Sequence, residues 1–123
     1  MRVVIMENTL ENLRLLTECI HELLPNALVK GFTDGNEATE WCGSHSSEIE
    51  LFFGNWWGTL EDYHSPEGSA ILSNVQWKHK PKSVLIGNEE RFKGWSIKNG
   101  ADGYMLRPVT VDKLRNILEE IDV

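Results

Sequence analysis

Residues 100–114 read GADGYMLRPVTVDKL, and the order of residue types in that stretch sets the architecture. Gly100 closes the helix that precedes it, because glycine readily takes the left-handed conformation that terminates helices. Tyr104-Met105-Leu106 is a short apolar run of the kind a covered strand needs. Pro108 then interrupts the chain. Thr110 caps a final helix whose apolar residues, Val111, Leu114, Ile117, Leu118 and Ile121, recur at helical spacing.

The same strand-then-helix alternation runs back to the amino terminus. Arg2-Val-Val-Ile-Met6 is an almost wholly apolar strand, and Thr9 or Asn8 caps a helix carrying Leu10, Leu13, Leu16, Ile20, Leu23 and Leu24 up to Pro25. Ala27 to Thr33 reads as a second strand. Asp34 to Glu37 has capping-box spacing ahead of Ala38, Trp41 and Cys42, in a helix that closes near Gly43. Ile49 to Phe53 is the third strand, and Ser65-Pro66-Glu67 starts a helix through Ile71, Leu72, Val75 and Trp77. After Pro81 come a fourth strand, Ser83 to Ile86, and a helix from Glu89 to Asn99. Five such units over residues 1–123 predict a single α/β domain with a doubly wound parallel sheet. In such sheets the carboxyl ends of the strands form the site, which points to Glu7-Asn8, Gly54-Asn55, Gly87-Asn88 and Arg107-Pro108.

Composition narrows the function classes. The chain has 123 residues, 41% of them hydrophobic, enough for one core. No apolar run nears the roughly 18 residues of a membrane helix, and MRVVIMEN lacks a signal-peptide cleavage site, so a soluble cytoplasmic protein without membrane contact is expected. A formal charge of −7 disfavours nucleic acid and suits a basic partner. Cys19 and Cys42 read as buried thiols. His21, His45, His64 and His79 are scattered without metal-ligand spacing and read as surface residues.

The stretch GADGYMLRPVTVDKL resembles the last strand and helix of response-regulator receiver domains, where G-A-D-x-Y-x-x-K-P ends in a lysine and a cis-proline. RVVIMENTLENLRLL is similar to the family's first strand, which normally ends in two acidic residues, and FTDGNEATEW to its second strand–helix junction. The resemblance spans residues 1–121. It implies a CheY-like, flavodoxin-like (βα)5 fold with sheet order 2-1-3-4-5, the order of flavodoxin-like folds.

The resemblance also implies a degenerate pocket. LFFGN places Asn55 where receivers carry the aspartate that accepts a phosphoryl group; a slip of the third strand by one or two residues puts Gly54 or Phe53 there instead, and no register supplies an aspartate. The acidic pair that binds Mg²⁺ in the family is here Glu7-Asn8, the switch threonine or serine is Gly87, and the lysine is Arg107, ahead of Pro108. Glu7 is either a pocket residue or one that favours the first helix's N-terminus. Glu61 and Asp62 lie too far into the following loop to serve as acceptors. Of Trp56 and Trp57, one covers the top of the sheet and the other faces solvent.

These substitutions favour a pseudo-receiver of two-component signal transduction, a phosphorylation-independent interaction module with no enzymatic activity, no cofactor and no bound metal. Residues 1–123 are expected to hold the receiver-like domain alone, without an output domain. The partner, a signalling protein or a second copy, is expected on the face of the fourth helix, fifth strand and fifth helix, around Tyr104 and an exposed Trp95. Arg107 is expected to reach Glu7 or the Asn55 amide and stand in for metal and phosphate. Two alternatives remain: an atypically phosphorylated receiver, and a flavodoxin-like binder of a small ligand or cofactor. MENTLEN lacks the glycine-rich phosphate cradle that the binder would use.

Overall fold

The computed structural model describes residues 1–56 and 67–123; the readings at Trp57, Glu61, Asp62, His64, Ser65 and Pro66 lie outside the described residues. Five strands and five helices alternate along the chain: β1 (Arg2–Met6), α1 (Leu10–Leu23), β2 (Leu28–Phe32), α2 (Gly35–Ser44), β3 (Leu51–Asn55), α3 (Gly68–Asn74), β4 (Lys82–Gly87), α4 (Phe92–Lys98), β5 (Gly103–Leu106) and α5 (Val111–Glu120). The strands form one parallel sheet of order β2-β1-β3-β4-β5. This is the flavodoxin-like order expected from the sequence.

Side chains alternate across the sheet with a period of two, and each face has its own core. Val3, Ile5, Leu51, Phe53, Val84, Ile86 and Met105 pack on Leu16 and Ile20 of α1 and on Leu114, Ile117 and Leu118 of α5. Val4, Met6, Phe52 and Leu85 face Ala38 and Cys42 of α2 and Ile71 and Leu72 of α3, with Phe92 of α4 at the margin. β3 is buried along its whole length, as a central strand covered on both sides must be.

The helix ends follow local chemistry. Thr9, not Asn8, caps α1 by accepting from the Asn12 amide; Asp34 accepts from the amides of Asn36 and Glu37, and Thr110 from that of Lys113. Gly100 has φ 100°, the left-handed value that lets the chain leave α4. Several boundaries differ from expectation, most of all in β3, α3 and α4. β3 begins at Leu51 and runs on through Asn55, because Ile49 precedes the ladder and Trp56 N still bonds Ile86 O at 2.7 Å. α3 stops at Asn74, with Val75 extended and Trp77 folded back so that its indole N–H donates to Leu72 O at 3.0 Å. α4 starts at Phe92, since Glu89 to Arg91 make only turn bonds and no side chain caps the helix.

Both cysteines are buried and unpaired. Burial pushes the Cys42 thiol up to about 12, and burial with Glu22 and Glu18 nearby raises Cys19, so neither is a nucleophile near neutral pH. No helix among the described residues is long and apolar enough to cross a membrane.

Candidate functional site

The carboxyl edge of the sheet gathers Glu7 just beyond β1, Asn55 at the end of β3, Gly87 at the end of β4 and Arg107 just beyond β5. Glu7 is fully buried, and its Oε1 accepts from Arg107 Nη2 at 2.5 Å while the arginine side chain is 18% exposed. β1 and β5 are three strand spacings apart, roughly 14 Å at about 4.8 Å per spacing. The two side chains therefore meet above the ends of β3 and β4, across the mouth of the site. Arg107 N also donates to Gly87 O at 2.9 Å, and the Arg107–Pro108 peptide is cis. Lys113, which the sequence reading passed over, donates from Nζ to Leu106 O at 3.2 Å and Pro108 O at 3.0 Å and braces that turn. Its one signal in the sequence is its place three residues after the Thr110 cap.

Asn55 is 2% exposed. Its Oδ1 accepts from the Gly68 amide, the first residue of α3, at 2.9 Å. That bond needs the backbones of β3 and α3 in direct contact. A Cβ on Gly54 would sit 2.6 Å from Gly68 Cα, and one on Gly68 would overlap Gly54, so only two glycines permit the approach. Asn8 and Pro108 are exposed and stand at the rim rather than in the pocket.

Gly87 has a separate role. A Cβ there would land on the Tyr104 hydroxyl, so the missing side chain is what lets the ring lie inward. Tyr104 is 7% exposed, and its hydroxyl donates to Glu89 O at 2.6 Å. Burial raises its pKa above the ordinary value. Tyr104 thus supports the α4–β5 face from beneath instead of standing on it. Trp95 is 60% exposed, with Lys98 Nζ 5.7 Å from its ring centre, while Phe92 and Ser96 turn inward.

Magnesium asks for several hard oxygen ligands in near-octahedral array. Glu7 is the one buried carboxylate among the described residues, and a guanidinium already holds one of its oxygens. The Asn55 oxygen is spent on Gly68, and no group of three or more potential metal ligands occurs among the described residues. These residues do not fit a divalent cation. Nor do they offer a phosphoryl acceptor, since an amide is not a nucleophile of that kind.

A parallel sheet of order 2-1-3-4-5 is the flavodoxin-like arrangement, and the solved structures that this chain resembles are receiver domains. A CheX–CheY–BeF3–Mg²⁺ complex from Borrelia burgdorferi matches at TM-score 0.79 and 18% identity, covering 99% of this chain and 89% of that one. A CheY-like receiver domain from Methylobacillus flagellatus matches at 0.75 and 15%, covering 98% and 97%. The receiver domain of Ssk1, solved with the histidine phosphotransfer protein Ypd1 of Saccharomyces cerevisiae, matches at 0.73 and 16%, covering 97% and 87%. No protein-family model and no curated protein sequence matches the chain. Likeness at these identities establishes the fold.

Two predictions follow from the geometry. Glu7→Gln leaves the Arg107 charge without its buried counterion and is expected to cost about 3–5 kcal/mol in urea denaturation; a loss below about 1 kcal/mol would mean the pair behaves as an exposed one. Gly87→Ala is expected to push Tyr104 outward and bring its titration back towards about 10, read by ultraviolet absorbance in a Tyr63→Phe background. The sign follows from the raised folded value. Stability due to the buried phenol is present below about pH 10 and lost as pH rises through the folded pKa, and the alanine variant should lose that dependence. An unchanged titration would mean the ring never moved.

Proposed function

We propose that this chain is a receiver-like module of two-component signalling that takes up no phosphoryl group and acts by binding a protein. The receiver fold supports the first half. The second half rests on one observation: the Glu7–Arg107 pair spans the space in which metal and phosphoryl group would meet, above an asparagine whose oxygen is committed to α3. A cation placed beside Glu7 would lie against the Arg107 guanidinium, and a phosphoryl group would find an amide at Asn55 where an attacking carboxylate is needed.

The partner surface is the face of α4, β5 and α5. Trp95 is its anchor, because an indole brings a large contact area with few torsions to immobilise. Tyr104 holds the face up from inside. Among the neighbours, the CheY of Borrelia burgdorferi was solved with CheX and the Ssk1 receiver with Ypd1, so protein partners are in keeping with this fold. With a net charge of −7 the chain favours a basic partner surface, or a second copy joined through apolar contact, over nucleic acid.

Incubation with acetyl phosphate and Mg²⁺ followed by intact-mass measurement is expected to give unmodified protein; a stoichiometric adduct on any aspartate or glutamate sinks the proposal. Trp95→Ala is expected to weaken partner capture or self-association by about tenfold or more with stability within about 0.5 kcal/mol of the parent. Unchanged association together with lost stability would remove Trp95 from the interface.

A further inference from the structure

Three buried side-chain polar atoms among the described residues have no hydrogen-bond partner, Glu7 Oε2, Asn55 Nδ2 and Trp56 Nε1, and the first two belong to the pocket. Such groups are rare in folded proteins, and each is an unmet demand for a partner of defined sign. Ile5 pairs with Phe53 in the β1–β3 ladder, and two residues further the same register brings Glu7 beside Asn55 on the same face of the sheet. The two atoms are an acceptor and a donor on neighbouring strands, complementary in sign, yet no hydrogen bond joins them.

The identity of the Asn55 atom is fixed chemically. The Gly68 amide can only donate, so the atom receiving it is the carboxamide oxygen, and the group left over is the NH₂. A cation at this place would face the NH₂ donor and the nearby guanidinium of Arg107. An anion would face the Glu7 carboxylate, which keeps one free oxygen. Both signs of charge are rejected. A neutral group that donates once and accepts once meets both demands, and a hydroxyl is the smallest that does.

We infer that the site is built for a resident neutral hydroxyl, donating to Glu7 Oε2 and accepting from Asn55 Nδ2, supplied by one ordered water or by the hydroxyl of a small solute. The degenerate pocket is then a filled site for a neutral guest, where a receiver's chemistry would require charged ones. This assignment rests on the two orphaned atoms alone. A phosphate adduct would defeat the proposed function without touching them, whereas an empty or charged site would defeat the hydroxyl and leave the signalling role standing.

The test uses the whole chain. Crystals grown with and without glycerol are expected to show a single oxygen within hydrogen-bond distance of both atoms in both conditions, which assigns water; larger density with glycerol alone assigns a solute hydroxyl. In ¹⁵N-labelled protein the Asn55 side-chain NH₂ is expected to show a direct nuclear Overhauser effect to the water signal, or to glycerol protons in the second case. Added Mn²⁺ is expected to leave that NH₂ signal sharp. Absent density together with a direct Glu7–Asn55 bond, or selective broadening by Mn²⁺, overturns the inference.

Discussion

The ion pair between Glu7 and Arg107 ties together two strands that share no hydrogen bond, and the rest of the site is arranged around it. Replacing a buried pair by apolar residues of equal volume often costs little, whereas removing one partner costs a great deal. Its value therefore lies in specifying geometry: with β1 and β5 joined across the mouth, the space above β3 and β4 has a fixed roof. Arginine suits this better than lysine. Its guanidinium is planar and weakly hydrated, so it tolerates a position that is mostly buried while one Nη2–Oε1 bond holds the carboxylate.

Beneath that roof, missing atoms at one position are matched by groups from another. The side chain absent at Gly54 and Gly68 lets α3 close on β3 until an asparagine can take up the first amide of the helix. The side chain absent at Gly87 makes room for the Tyr104 ring, which reaches Glu89 O. Each glycine trades side-chain contacts for a close approach that any Cβ would block.

How much of this the sequence discloses depends on where each determinant lies in the chain. The alternation of strands and helices, the Thr9, Asp34 and Thr110 caps and the Gly100 exit are local, so pattern and capping chemistry reveal them. The limits of β3 are hidden because Ile49 to Gly54 is apolar nearly throughout and a strand buried on both faces has no alternation to fix its register. Trp77 reads as helical because no Gly or Pro stops the chain between Val75 and Pro81, yet it packs as a loop residue against Phe52. The site follows the same rule. Arg107 is legible from its flanks, but the orientation of the Asn55 amide is decided by a donor thirteen residues away. The burial of Tyr104 is decided by the absence of a side chain on another strand.

The pocket and the exposed face are joined by that tyrosine. α4 is seven residues long, lacks a side-chain cap and turns only Phe92 and Ser96 inward, so its own helical stability is small. Its approach is held by the Tyr104 hydroxyl on Glu89 O and by the Phe92 ring against Trp56, 5.7 Å between centres. Trp56 directly follows Asn55 at the end of β3, and Tyr104 lies against Gly87 at the end of β4. Both supports of α4 thus begin at strand ends that lie under the Glu7–Arg107 roof. The position of Trp95 therefore depends on the ends of β3 and β4 as well as on its own short helix.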